Sequence, residues 1–474
     1  MPATTESTLQ QYTWEVQPAA ARWVARAVEI LAEHNPAIDR LGALLHEETG
    51  TRLTDWIDHL SIGDDEFAAL QAELPDVGYV AEPNGPLAVW RQPLGMFPPV
   101  LVEAGRVGIG LRCDSVDDCL TALPPRLELP AVPSEQVIGV RGGPFRRACL
   151  TSQNNVGLWI IERHGHPSFE RPAATPGQIA AAARHLDVFR RRERRGAAGS
   201  DGFRTASKLF AATAAELGAA WACDLFFQAE REYWQSRNTA ARVQYERQNR
   251  LGLGWANHDH HTYRSSRAAF PRLIETLEQM GFHCRERFYA GREAGWGAQV
   301  LEQPECRIVI FADVDLSPEE LAGDFAHEPL PPSPSPSPTW GGEGELGTVG
   351  LWCELHGEAF LEAGMHHLEC QFDFDAARAQ LAEAGIETMS PFTDFPFLRQ
   401  AFTRGEMWPI DPRRIERLVA QGRITSEQAD RFRREGALGS HLEILERNEG
   451  YKGFNQTGVS DIISRTDPRR VVGA

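Results

Sequence analysis

Residues 257–267 read NHDHHTYRSSR, a run that crowds three histidines, an aspartate, a tyrosine and two arginines into eleven positions. Neutral imidazoles are ligands for divalent transition metals, and a planar, permanently charged guanidinium is a fork for carboxylates. The run is β-prone at Thr262 and Tyr263, and alternate side chains of a strand share a face. His258, His260, Thr262 and Arg264 are therefore expected on one side of a sheet, with Asp259, His261, Tyr263 and Ser265 on the other.

The pattern returns further along the chain, where MHHLECQFDF is a strand and DAARAQLAEAGIE a helix. LEQMGF and LAEAGI hold corresponding places in the two units, and both units open with histidines, the mark of a duplicated module. In the second unit His367, Glu369, Gln371 and Asp373 share a face, opposite His366, Leu368, Cys370 and Phe372. Alignment sets His260 against His367, with Arg264 and Gln371 each four residues on. One buried histidine is more often hydrogen-bonded in a core than metal-bound; recurrence at the same place in two modules shifts that balance toward ligation.

Two imidazoles and one carboxylate hold iron(II) while leaving positions open for substrate and dioxygen. The carboxylate is expected from SHLEILERNEG, with Glu443 first and Glu446 in reserve, because a one-residue slip exchanges strand faces. Arg264 is the anion anchor for a substrate carboxylate. His258, His261 and His366 are candidates for orienting ligands or touching substrate, and His261 with Arg264 forms the catalytic pair of this reading. Gln371, Ser440, His441 and Asn455 are candidates for substrate binding, with Arg399, Arg404 and Gln456 further pocket candidates.

These side chains need a frame. A chain of 474 residues exceeds one ordinary core. Residues 1–50 read as helical and 51–170 as sheet-rich, with 171–254 a helical connector whose second half is one long helix. Residues 255–328 form the first metal-binding module, β-α-β-β-β, with Ser265 or Ser266 capping its helix and Pro271 in the first turn. PLPPSPSPSPTWGGEGE, in 329–346, is expected to be a disordered insertion. The second module, with a helical insert, fills 347–474. The fold class is α+β: duplicated modules curve around a metal site behind an N-terminal sheet-rich domain. His59 and Glu162 echo the pattern more weakly, which suits a degenerate, structural copy.

The formal net charge of −18 disfavours a nucleic-acid partner and leaves a small molecule. The basic run FRRRERR is expected to be a solvated face or linker. Eight cysteines without a CxxC pair or signal peptide point to a reducing, cytoplasmic setting, and no apolar run is long enough to span a bilayer.

Paired β-α-β-β-β modules with histidines on their opening strands resemble the vicinal-oxygen-chelate superfamily. Residues 255–470 are more narrowly similar to the iron(II)-dependent 2-oxoadipate dioxygenase/decarboxylase (hydroxyglutarate synthase) family. HHTYR, with His260 four residues before Arg264, MHHLE, with His367, and GSHLEILER, with Glu443, carry the resemblance. Gln371 stands where that family has an arginine. The resemblance implies an iron(II) dioxygenase that oxidatively decarboxylates and hydroxylates a small 2-oxo dicarboxylic acid, taking dioxygen as its other substrate. Another divalent metal used as a Lewis acid for isomerase or lyase chemistry, or a non-catalytic ligand-binding protein, are the competing readings.

Overall fold

The computed structural model describes residues 14–83, 87–170, 172–194, 201–292, 294–331, 346–455 and 467–469. Its first sheet has seven strands: β1 (Ile57–Ile62), β2 (Val80–Ala81), β3 (Ala88–Arg91), β4 (Val100–Val102), β5 (Val107–Cys113), β6 (Phe145–Gln153) and β7 (Val156–Arg163), in the order β2-β3-β4-β1-β5-β7-β6. The second has nine: β8 (His258–Arg264), β9 (His283–Tyr289), β10 (Trp296–Gln303), β11 (Ile308–Asp315), β12 (His367–Gln371), β13 (Thr393–Phe395), β14 (Leu398–Phe402), β15 (Glu406–Trp408) and β16 (Ala437–Arg447). Their order is β13-β14-β16-β12-β8-β11-β10-β9, with β15 on β16.

In the second sheet β8 pairs parallel with β11 and β12 parallel with β16, so each opening strand lies beside the closing strand of its own module. The two opening strands run antiparallel to one another. The result is a mixed α+β architecture of two duplicated modules. The first sheet repeats the scheme, since β1 pairs parallel with β4, β5 parallel with β7, and β1 antiparallel with β5.

The alternation of β12 and β16 explains both the core and the site. Leu368, Cys370, Leu442 and Ile444 face the helical layer and join its largest apolar cluster, with Phe226, Phe227 and Phe270. Burying each such side chain contributes about 1.5–3 kcal/mol. The intervening residues His367, Glu369 and Glu443 turn to the other face. The helix Phe270–Gln279 buries Phe270, Leu273, Ile274 and Leu277 at helical spacing, and Pro271 lies in its first turn.

Local details correct the sequence reading. The helix Phe270–Gln279 begins after Ala269 with no side-chain cap, and its first N–H donates to the Ser266 carbonyl, so neither serine hydroxyl caps it. The long helix of the connector is two, Ala219–Ser236 and Thr239–Asn249, because Asn238 accepts from the Ala241 N–H and caps a fresh start. Within the basic run, Arg192 and Arg194 are buried against Glu230, while Arg190 and Arg191 face outward. Two of those arginines are an internal ion-pair network where a solvated face was expected. The Pro/Ser tract from 332 to 345 lies outside the described residues. Among the described residues all eight cysteines are free, and no helix is long and apolar enough to cross a membrane.

Candidate metal centre

Three strands meet in the middle of the second sheet. Their registers put His260 of β8 opposite Glu369 of β12, and Glu369 beside Glu443 of β16, so one rung carries an imidazole and two carboxylates. His367, two residues before Glu369, stands on the same face. Ligand atoms of His260, His367, Glu369 and Glu443 all lie within 4.8 Å of one another, and all four residues are buried.

His260 Nε2 approaches Glu369 Oε2 to 2.8 Å, and His367 Nε2 approaches Glu443 Oε2 to 3.0 Å. Neither Glu369 oxygen is in hydrogen-bond geometry with any partner, so its lone pairs are left facing the cluster. Glu443 is held from behind: its Oε1 accepts from the Gln400 amide at 3.0 Å, and the Gln400 oxygen accepts from Thr393 at 2.9 Å.

Electrostatics mark the cluster as short of positive charge. Burial lowers the His260 pKa, but Glu369 and Asp259 outweigh it and raise it to about 9. Burial and the neighbouring Glu369 carboxylate push Glu443 well above the usual carboxylate range. Two buried carboxylates at one point repel unless a proton or cation sits between them, and a divalent cation would favour both charged forms. Unpartnered buried oxygens, converging imidazole nitrogens and the mixed nitrogen and oxygen set fit a divalent transition metal.

The cluster opens into a cavity of about 90 Å³ whose apolar wall is Phe288, Trp296, Phe311, Phe392, Phe402 and Phe454. Arg264, on the same strand face as His260, enters this cavity with Nε and Nη1 unpartnered, its guanidinium 5.6 Å above the Trp352 ring. Asp313 sits across from it on β11, also with an unpartnered oxygen. Burial raises Asp313 to about 7, against the pull of Arg264 and His260. A cation and a near-neutral acid thus stand side by side at one end of the cavity.

Other residues singled out from the sequence fall in different places. His366 and Asn455 line the cavity, and Asn455 donates to the Thr393 hydroxyl at 2.9 Å. His441 lies behind that wall, bonded to the Thr403 carbonyl and 5.0 Å from the Phe402 ring. His261 is on the opposite side of the sheet, edge-on to Phe227 at 5.5 Å, because strand alternation turns it to the helices; it does not reach the cavity. His258 was expected beside His260, but a register shift between the two places its ring 5.2 Å from His261. Ser440 accepts from Asn238 at 2.8 Å, away from the cavity. Gln371 donates to Asp259 at 3.0 Å and does not line it. Glu446 caps the helix Phe374–Glu383 through the Phe374 N–H, on the face opposite Glu443. Arg399 and Arg404 are outer ion pairs with Asp375 and Glu387, and Gln456 lies outside the described residues.

Sequence reasoning passed over Glu369, although His-Leu-Glu puts it two residues beyond His367 on the same face. It also passed over Asp313 of β11 and the aromatic wall, whose residues come from β9, β10, β11 and β14 and from the segments at Phe392 and Phe454, far apart in the sequence.

His59 and Glu162 of the first half do not meet at a comparable centre. His59 is bonded to Asp58 and packs on Phe169 at 4.9 Å, while Glu162 pairs with Arg146 and His164.

No protein-family profile matches the chain, and no curated protein matches it. Among solved structures, methylmalonyl-CoA epimerase from Mycobacterium tuberculosis is similar at 13% identity and a TM-score of 0.22, over 40% of this chain and 87% of that one. A mutant of 4-hydroxymandelate synthase from Streptomyces coelicolor is similar at 11% identity and a TM-score of 0.28, over 87% of this chain and 99% of that one. A xylose isomerase-like TIM barrel/4-hydroxyphenylpyruvate dioxygenase fusion protein is similar at 10% identity and a TM-score of 0.23, over 93% of this chain and 57% of that one. At such values the functional reading rests on the site itself: two imidazoles and two carboxylates facing one point, with an arginine on the same strand.

Proposed function

We propose that the protein is a non-haem iron(II) dioxygenase that oxidatively decarboxylates and hydroxylates a small 2-oxo acid of the 2-oxoadipate type. The observation that carries this reading is the buried convergence of His260, His367 and Glu443, with Glu369 beside them, in a cavity that also holds the unpartnered Arg264. Bound iron(II) would supply the chelation site for a 2-oxo acid and the activation of dioxygen.

The chain's own residues do the rest. His260, His367 and Glu443 are the ligands of this reading. Arg264 offers two N–H groups to a distal carboxylate, and its placement four residues along the strand sets the length of acid that reaches both ends. The aromatic wall lowers the polarity around the cluster, which strengthens each charge interaction inside. Asp313, when protonated, leaves Arg264 its full charge for the acid.

One observation favours a second reading. A divalent transition ion has about six positions. Three protein ligands leave room for a chelating acid and dioxygen; four, with Glu369 included, leave room for the acid alone. If Glu369 binds, a metal-dependent isomerase or lyase on an acid substrate becomes the better reading.

Anaerobic reconstitution with iron(II), followed by an oxygen-electrode screen of 2-oxo acids, tests the proposal. Oxygen uptake matched by carbon dioxide release is expected. Metal-dependent turnover without oxygen would establish the second reading, and turnover of neither kind would sink both.

A further inference from the structure

We infer that Asp259 and Arg447 are a positioning pair for His260, presenting only its Nε2 to the ligand cluster. This rests on the metal reading above and adds to it residues that touch neither metal nor substrate.

The geometry begins with an irregularity. Asp259 directly precedes His260, so regular alternation would turn it toward the helices. The pairing of β8 with β12 instead slips by one residue, with His260 opposite Glu369 and His258 opposite Cys370. Asp259 is the extra residue, and its carboxylate stays beside its neighbour's ring, with Oδ1 3.2 Å from His260 Nδ1. Arg447 grips the same carboxylate with both arms, Nε to Oδ2 and Nη2 to Oδ1, each at 3.0 Å. Gln371 adds a further bond at 3.0 Å. A carboxylate that already accepts from both arms of Arg447 and from Gln371 can only accept from the ring as well, so Nδ1 carries a proton and, in the neutral ring that a metal requires, Nε2 is the nitrogen with the lone pair.

The first half of the chain supplies an internal control. There His59 pairs with Gly110, and Gly110 with Trp159, the counterpart of the rung His260, Glu369, Glu443. Arg163 lies four residues beyond Trp159, as Arg447 lies four beyond Glu443. Asp58 accepts from His59 Nδ1 at 2.8 Å and from the two arms of Arg163 at 2.8 and 2.9 Å. The same trio is present, but the carboxylates are gone: a Cβ on Gly110 would meet the His59 ring at 2.4 Å. One arrangement thus orients an imidazole in both halves, and in the second half alone the ring faces ligands.

Cobalt(II) affinity and its visible absorption spectrum, read anaerobically without substrate on the full chain, test this. Asp259→Asn should weaken binding by about 10–100-fold and change the spectrum. Asp58→Asn should lower thermal stability yet leave affinity within about twofold. Arg447→Lys, which keeps the charge but loses the fork, should fold and bind several-fold more weakly. Affinity and spectrum unchanged in Arg447→Lys, or in a folded Asp259→Asn, would overturn the inference, as would an equal loss in Asp58→Asn. A wild-type protein that takes up neither cobalt nor iron would instead overturn the metal reading.

Discussion

At the scale of single residues, the site is one rung of a sheet plus its neighbours. His260→Ala removes an imidazole from a cluster whose remaining carboxylates repel, and iron content after anaerobic reconstitution is expected to fall by at least about tenfold. Retained iron would remove His260 from the ligand set. Arg264→Gln should raise KM for an acid substrate by about 10–100-fold with kcat changed much less, the loss of a charge-assisted bond used in binding. The Arg264 and Asp313 pair also sets a pH dependence. Burial holds Asp313 protonated until about pH 7. Below that the arginine's charge is free for the substrate; above it Asp313 ionises and competes, so KM should rise as pH passes through 7. Asp313→Asn should flatten that rise, which steady-state kinetics from pH 6 to 8 would show. The place of Arg264 on the face of His260 was legible from their spacing, whereas that of Asp313 was not, because nothing in CRIVIFADV marks one aspartate as facing an arginine three strands earlier in the chain.

At the scale of elements, the period of two in β12 and β16 divides each strand between core and cavity. That period made His367 and Glu443 readable, and it excludes Glu446, which is bound to the start of a helix. Where β8 departs from the period, the reading failed: His258 turned to the other face and Asp259 stayed beside His260. A bulge is a property of two paired strands and has no signal in one. The break in the connector helix has a local cause that the sequence did contain, Asn238 ahead of Thr239. Its side chain accepts from the Ala241 N–H and donates to Ser440 of β16, tying helix to sheet. Asn238→Ala should cost about 1–2 kcal/mol, read as a shifted urea midpoint with unchanged slope. No shift would show that the cap is dispensable.

At the scale of the whole molecule, the first of two sheets of like connectivity is tied to the helical connector by ion pairs, and the second by hydrogen bonds. His164, just after β7, lies between Glu162 and Asp224 of the helix Ala219–Ser236. Burial opposes its protonation, but the two carboxylates prevail and raise its pKa from 6.5 to about 10. Because the folded value exceeds the unfolded one, the contribution is complete below pH 6.5 and fades as pH climbs toward 10, amounting to no more than about 5 kcal/mol. Urea unfolding at pH 6.5, 8 and 9.5 should show stability falling across that window, and His164→Gln should flatten the fall. An unaltered slope in the variant would assign the dependence to other groups.

Composition and pattern alone determined the α+β class, the repeated module, the histidines on its opening strands and the polar face of the last strand, because period and spacing are properties of a single segment. Tertiary structure decided which carboxylates join the imidazoles, how Asp259 reaches His260, and which aromatic side chains close the cavity. Those depend on register between strands distant in sequence, where a one-residue slip exchanges every face, and no local pattern encodes it.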